Sequence, residues 1–189
     1  MRTANSLEGL SGGFPCLVNA VALLGLVEQA WPHLRVTPCE EAAYEERHYP
    51  AGKWACVTKG EPLYEQSISL SRYLGMTVPV LNEIHLNKEG TELEREVLTA
   101  YYLPGQFQQN PPIPMDPEIH ITERAPLRVI TRVFYGITTE ETILREIGLF
   151  WELLGSTDAV LRETYIVAVY QNPSVPQRRN EIWFIRRAE

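Results

Sequence analysis

Apolar and polar residues alternate along most of the chain after residue 38, and this period-two pattern predicts a series of short β-strands. The pattern is clearest near the C-terminus, in Thr164–Tyr170 and Glu181–Arg187, which are rich in β-branched and aromatic residues. The loop between these strands contains two prolines and the basic pair Arg178-Arg179, so it is stiff and positively charged. An apolar wall with a basic rim suits a flat apolar ligand with anionic edges. A core hairpin with a solvated turn gives the same pattern.

Six more strands are predicted upstream of this hairpin, and turn-forming residues separate them. They are Ala42–His48, Lys53–Lys59, Met76–His85, Glu96–Leu103, Glu118–Glu123 and Leu127–Tyr135. In the last of these, alternation places Val129 and Val133 on one face and Arg128 and Arg132 on the other. Residues 104–117 contain five prolines and show no periodicity, which predicts a rigid connector between two halves of the protein.

A helix is predicted after the strand Leu127–Tyr135. Thr138 and Glu141 have the spacing of a capping box at its start, and Gly155 suits its C-terminal end. Apolar residues recur at helical spacing and form a stripe for the core side: Ile143, Ile147, Trp151 and Leu154.

These elements form two halves, each with the order strand, strand, helix, strand, strand. The predicted fold class is therefore α+β: a twisted antiparallel β-barrel or sheet built from two β-β-α-β-β halves with flanking helices. The halves differ in the length of the helical crossing, which has 27 residues (137–163) in the second half and 15 (61–75) in the first. A truncated first helix covers less of the sheet. We therefore expect exposed apolar surface there, or another segment that covers it.

Charge and motifs narrow the function. A net charge of −7 argues against a broad nucleic-acid surface and against an anionic membrane as a partner. The three cysteines, Cys16, Cys39 and Cys56, lack metal-ligand spacing, which favours reduced thiols in a reducing compartment. The sequence has no GxSxG, Walker, HExxH or GxGxxG motif, and it has no CxxCH motif for covalent cofactor attachment. We expect a binding protein and not an enzyme.

The N-terminal residues 1–37 are predicted to form an arm, and residues 38–189 the folded domain. The run Cys16–Val27 has twelve apolar residues, too few to span a bilayer. A secretory signal is the alternative, but the run follows a single basic residue, Arg2, and no small-x-small cleavage site ends it. A docking helix or a loosely ordered arm that covers the gap beside the short crossing is the preferred interpretation. The expected location is the cytoplasm.

Four strings identify a resemblance: YEERHYPAGKWA (44–55), GMTVP (75–79), NPPIPMDPEIHITER (110–124) and RRNEIWFI (178–185). Together they resemble the SOUL haem-binding protein family, in the same order from about Trp31 to Arg187. The resemblance implies a twisted antiparallel barrel of two similar halves, and a monomer that binds haem or related tetrapyrroles (porphyrins) without a covalent link. The implied role is that of a carrier or buffer. Relatives carry a full amphipathic helix where this chain has the short crossing.

The resemblance also implies a site between the first helix and the loop before the last strand. On this sequence that loop is Tyr170–Arg179. Its candidate ring contacts are Tyr170, Pro173, Val175 and Pro176, and its candidate propionate partners are Arg178 and Arg179. His48 matches a position suggested as an axial iron ligand in some relatives, and it is the candidate metal-binding residue.

Each of these residues also has an ordinary structural interpretation. His48 fits an exposed histidine at a strand end. Adjacent arginines point to opposite sides, so at most one of Arg178 and Arg179 faces a ligand, and the other pairs with Glu181 or stays solvated. The alternative function is a protein-interaction module, since the resemblance implies cell-death or mitochondrial partners. A third possibility is a shortened isoform that no longer binds haem.

Overall fold

The computed structural model describes residues 35–38, 44–60, 78–155, 159–172 and 174–188. The helical crossing expected at residues 61–75 and the apolar run Cys16–Val27 lie outside these ranges. No helix within them is long and apolar enough to cross a membrane.

Within the described ranges, nine strands form one sheet in which every neighbouring pair is antiparallel. They are β1 (Arg35–Pro38), β2 (Glu45–Tyr49), β3 (Gly52–Lys59), β4 (Val80–His85), β5 (Val97–Tyr102), β6 (His120–Arg124), β7 (Leu127–Tyr135), β8 (Val160–Val169) and β9 (Arg179–Arg186). The order across the sheet is β1-β2-β7-β9-β8-β4-β5-β3-β6, so the sheet is a curled, open half-barrel.

The strand order contains an internal symmetry. Strands β2 to β5 belong to the first half of the chain, and β6 to β9 belong to the second. If each strand is exchanged for its counterpart in the other half, the order from β2 to β6 reads the same backwards, with the β4–β8 pair at the centre. The first strand of each half pairs within the other half, β2 with β7 and β6 with β3. The predicted repeat of architecture and the α+β class are confirmed.

Two helices lie within the described ranges, the short α1 (Gly105–Gln108) and the longer α2 (Glu140–Leu154). The capping box of α2 is one residue later than predicted: Thr139 is the N-cap, and its hydroxyl accepts a hydrogen bond from the Thr142 N–H at 3.2 Å. The Thr142 hydroxyl accepts one in return from the Thr139 N–H at 2.9 Å. A threonine at this position does the work usually assigned to Glu or Gln. Gly155 ends the helix with φ of 63°, as its C-cap.

Both faces of the sheet are apolar, and each belongs to a separate core. On one face, helix α2 packs Ile143, Ile147 and Phe150 against Ile130 and Phe134 of β7. The predicted stripe shifts accordingly, because Phe150 is buried while Trp151 and Leu154 are only partly buried. On the other, concave face, a second core gathers the side chains of Tyr49, Trp54, Cys56, Leu81, Ala100, Val129, Ile166, Ala168, Tyr170 and Trp183.

Candidate functional site

The loop that joins β8 to β9 contains most of the residues predicted to contact a ligand. Tyr170 follows the last residue of β8 and is buried, Val175 is half-buried, and Pro176 is exposed. Pro173 lies outside the described residues. The Asn172 carbonyl accepts a hydrogen bond from the Val175 N–H at 3.0 Å, which closes a tight turn. The described part of the loop therefore presents an exposed proline, Pro176, and a half-buried valine, Val175, to solvent.

Arg178 is turned toward the protein, with only 3 % of its surface exposed. Its Nη2 donates to the Thr138 hydroxyl at 3.2 Å, and its carbonyl accepts from the Gly136 N–H at 3.0 Å. Burial lowers the pKa of the Arg178 guanidinium. These contacts tie the loop to the connection between β7 and α2.

Arg179 lies on the opposite side of the strand, as alternation predicts for adjacent residues. Its Nη2 is 2.8 Å from Oε1 of Glu181, and its guanidinium lies over the Tyr170 ring at 5.0 Å from the centroid. Its side chain is 15 % exposed. Of the two arrangements that the sequence leaves open for the second arginine, pairing with Glu181 is the one that this residue adopts.

His48 is exposed on β2 and does not join the loop residues. It lies opposite Arg128 at one end of β7, whereas Arg179 lies opposite Tyr135 at the other end. These positions are seven residue steps apart on β7, a distance of about 23 Å along an extended strand. The candidate iron ligand and the candidate propionate partners therefore lie at opposite ends of the sheet.

A buried ionic cluster occupies the concave side behind the loop, and its centre is the fully buried carboxylate of Glu181. Arg47 donates from Nη1 to Oε2 at 2.7 Å and from Nη2 to Oε1 at 3.0 Å. The Tyr170 hydroxyl and the Trp183 indole N–H donate to Oε2 at 2.7 and 2.8 Å. With Arg179, four side chains surround this one carboxylate. Each of these side chains is buried or nearly buried. Together they supply the hydrogen bonds and the opposite charge that a buried carboxylate requires.

Neighbouring charges and burial fix the ionisation states of the cluster residues. Burial opposes ionisation of Glu181, but Arg47 and Arg179 outweigh it and hold the pKa of the carboxyl below its ordinary value. Burial likewise opposes the charge of Arg47, and Glu181 outweighs it, so the pKa of Arg47 is raised. Burial and the Glu181 charge raise the pKa of Tyr170 well above its ordinary value, so its hydroxyl stays a neutral donor. This arrangement holds charges in place and does not leave a base poised to accept a proton.

A cavity of about 420 Å³ opens on the concave face, on the side away from the β8–β9 loop. We call it the concave pocket. Its wall is mainly aliphatic and aromatic and includes Trp54, Leu81, Leu127, Ile166 and Trp183. Its size is within the range of small-molecule sites.

A second cavity, of about 720 Å³, lies where the β4–β5 connection meets the C-terminal end of α2. Most of the residues that line it are polar or charged, including His85, Lys88, Glu94 and Arg162, and its aromatic residues are Trp151 and Tyr165. With so many charged lining residues, this cavity is a solvent-exposed depression and does not match a site for an apolar ligand. In the described ranges, no three His, Cys, Asp or Glu side chains gather to hold a metal ion.

The family model of the SOUL heme-binding protein matches residues 30–185, most of the chain. This chain belongs to the SOUL family. The predicted family is thereby confirmed, and the curated relatives agree with it. Mouse Heme-binding protein 1 is 31% identical over 183 residues, which cover 87% of this chain and 96% of that protein. Human Heme-binding protein 2 is 25% identical over 167 residues, which cover 79% of this chain and 81% of that protein.

Among solved structures, the fold is similar to that of a putative bacterial transcription regulation protein from Staphylococcus aureus. The TM-score is 0.50 at 8% identity, and the match covers 78% of this chain and 99% of the other. At this identity, the similarity concerns the architecture alone.

Two of the strings that carry the SOUL resemblance meet in the buried cluster. YEERHY contributes Arg47, whose Nη1 also donates to the Tyr49 hydroxyl at 3.4 Å, and RRNEIW contributes Arg179, Glu181 and Trp183. Sequence reasoning singled out His48 and the two loop arginines but not Arg47, because a charged residue in a strand ordinarily faces solvent. The available signal was that Arg47 and Tyr49 share a face in an alternating strand.

Proposed function

We propose that this chain binds haem or a related tetrapyrrole without a covalent bond and acts as a cytoplasmic carrier or buffer of that ligand. The observation that carries the proposal is the SOUL match over residues 30–185, together with curated relatives whose names describe them as heme-binding proteins. The absence of a CxxCH motif from the sequence is consistent with non-covalent binding.

The chemistry of the β8–β9 loop fits such a group. Val175 and Pro176 offer apolar contact to a ring edge. Arg179 suits a propionate better than Arg178 does, because its side chain is the less deeply buried of the two candidates. A guanidinium has five N–H donors, so Arg179 can bind a second carboxylate while it keeps its contact with Glu181. Bound haem would supply an iron centre and an intense visible absorption.

Titration of the chain with haem, followed by the Soret absorption, tests the proposal. We expect a saturable shift, and Arg179→Gln should weaken the affinity by about tenfold through loss of a charge-assisted hydrogen bond. Arg145→Gln is the matched control, since Arg145 is exposed on helix α2 and pairs with Glu146 at 3.4 Å. Urea unfolding of each variant shows whether it is folded. A chain that unfolds cooperatively but gives no saturable shift would contradict haem binding and favour the shortened, non-binding isoform.

A second candidate function is protein interaction, and the connector between the two halves favours it. Ile113 and Met115 are 92% and 93% exposed and alternate with prolines in PPIPMDP (111–117). Proline-rich segments of this kind bind the aromatic grooves of SH3 and WW domains. Titration with a panel of such domains tests this function. Binding that Ile113→Ser/Met115→Ser weakens would support it, and the absence of any binding would contradict it.

A further inference from the structure

The concave pocket is built by consecutive strands across the middle of the sheet. Leu127 begins β7, Trp183 belongs to β9, Ile166 to β8 and Leu81 to β4. Trp54, from β3, faces them across the curl of the sheet. Helix α2 packs on the opposite face, so it does not fill this space. The curled sheet therefore leaves an open cavity on its concave face, and the wall of this cavity is mainly apolar.

Two indole rings in this wall are held in fixed positions. Trp183 stacks on Tyr49, with ring centroids 4.7 Å apart and planes at 19°, and its N–H donates to Glu181 at 2.8 Å. Trp54 packs edge-on against Tyr102 at 5.2 Å. The hydrogen bond to Glu181 thus attaches the Trp183 ring, which forms part of the pocket wall, to the buried ionic cluster. Preformed aromatic surfaces bind flat ligands with little loss of side-chain entropy.

Among the residues that the structure describes, the pocket lining carries no net charge. Its two charged residues, Glu83 and Arg124, form an ion pair with each other. The Arg124 guanidinium also lies 5.9 Å from the centroid of the Trp54 ring. An anionic ligand that approaches Arg124 is also repelled by Glu83, and a cationic ligand that approaches Glu83 is also repelled by Arg124. An uncharged ligand leaves this pair intact.

We propose that the concave pocket is a second ligand site, which binds a planar, uncharged aromatic molecule. The ring packs against the half-buried side chains of Leu127, Leu161 and Ile185 and the exposed edge of Trp54, while the buried Trp183 supports the wall beneath them. The Glu83–Arg124 pair lies at the polar edge of the site. This site is separate from the β8–β9 loop and does not depend on haem binding. The pocket volume of about 420 Å³ suits a ligand of ordinary small-molecule size.

Two fluorescent probes with the same aromatic skeleton test the proposed site and its preference for uncharged ligands. N-phenyl-1-naphthylamine is uncharged, and 1-anilinonaphthalene-8-sulfonate carries an added sulfonate. We expect the uncharged probe to bind saturably at one site per chain, and the sulfonate to bind at least about tenfold more weakly. Glu83→Gln should reduce that difference, because it removes the negative charge that competes for Arg124. Equal affinities for the two probes, or no saturable binding of the uncharged one, would overturn the proposal.

Variants that fill the pocket locate the site. Leu127→Trp places a large ring in the cavity and should weaken the uncharged probe by at least about tenfold. Leu161→Trp, from another half-buried lining residue, should do the same and serves if the first variant fails to unfold cooperatively. Leu149→Trp is the matched control, since Leu149 is 42% exposed on helix α2. Equal loss in the control would overturn the assignment.

Haem titration of the same variants separates this inference from the proposed function. We expect Leu127→Trp to retain the Soret response of the unmodified chain while it loses the uncharged probe. Joint loss of haem and probe would make the pocket the haem site itself and overturn a separate second site. Probe binding without any haem response would support the pocket and contradict only the proposed haem function.

Discussion

Arg47 and Glu181 face each other inside the half-barrel and are joined by two hydrogen bonds of 2.7 and 3.0 Å. The two residues are 134 positions apart in the sequence and lie on β2 and β9, with β7 between these strands in the sheet. Because β2 belongs to the first half of the chain and β9 to the second, this ion pair fixes the exchanged strand of one half to the other. The ion pair therefore stabilises the association of the two symmetry-related halves of the sheet.

Loss of one partner of this pair should destabilise the fold strongly. Arg47→Met leaves the Glu181 carboxylate buried without its bidentate partner, and we expect the free energy of unfolding to fall by about 3–5 kcal/mol. Arg128→Met is the matched control at an exposed position of β7, where Arg128 contacts Glu46 at 3.2 Å. That change should cost about 1 kcal/mol or less. Urea unfolding measures both, and equal losses would show that the buried pair contributes no more than a surface pair.

The same carboxylate predicts acid sensitivity. The pKa of Glu181 is lowered in the folded state, so its charged form stabilises the fold. This contribution is complete above the unfolded pKa of about 4.3 and is lost as the pH falls through the lower folded value. We expect the unmodified chain to lose stability below about pH 5 more steeply than Arg47→Met/Glu181→Leu does.

The measurement is the urea midpoint at a series of pH values for the two proteins. The pKa of Glu46 is also lowered, because Arg186 and Arg128 outweigh the opposing effect of its partial burial. Since the double variant keeps Glu46, the difference between the two profiles isolates the buried cluster. Parallel profiles would contradict a stabilising charge on Glu181.

Helix α2 offers a pair of neighbouring residues that separates core from surface. Phe150 is fully buried, with its ring centroid 4.3 Å from that of Phe184, whereas Leu149 is 42% exposed. We expect Phe150→Ala to reduce the free energy of unfolding by about 3–5 kcal/mol, because it leaves a cavity beneath the helix. Leu149→Ala should cost about 1 kcal/mol or less. A similar cost for both, measured by urea unfolding, would contradict the packing of α2 on the sheet.

Local patterns predicted eight of the nine described strands and helix α2. They missed β1, which lies mostly in the predicted N-terminal arm, and the short α1, which lies in the predicted connector. Strand β7 matches its prediction from Leu127 to Tyr135, because alternation and flanking turns are encoded within the segment itself. The cap of α2 was predicted one residue early, at Thr138 and not Thr139. Two adjacent threonines offer the same hydroxyl, and only the backbone decides which one becomes the cap.

The burial of both faces of the sheet could not be predicted from alternation. The strand pattern marked the face with Arg128 and Arg132 as the polar one, yet Ile130 and Phe134 on that face form the core beneath α2. Arg132 is accommodated there because it pairs with Glu146 of the helix. Alternation reports which residues share a face, but long-range packing decides how much of each face is covered.

The site was predicted only as far as single segments allow. The β8–β9 loop and its two arginines follow from the string RRNEIW and its flanking strands. The contact between Arg47 and Glu181 depends on the strand order, in which β7 separates β2 from β9, and no local pattern specifies that order. The concave pocket likewise combines residues from seven strands.

The proposed haem site at the β8–β9 loop excludes His48 as an iron ligand. His48 of β2 pairs with one end of β7 and Arg179 of β9 pairs with the other, and these ends are about 23 Å apart along the strand. One ring held at the β8–β9 loop therefore cannot also be ligated by His48. We therefore expect His48→Ala to leave the Soret band and the haem affinity unchanged, while Arg179→Gln weakens the affinity. His120, exposed at the start of edge strand β6, provides the matched control substitution His120→Ala. A Soret shift in His48→Ala but not in His120→Ala would show that His48 ligates the iron, because axial ligation requires direct contact between the imidazole and the iron. That result would contradict the loop site.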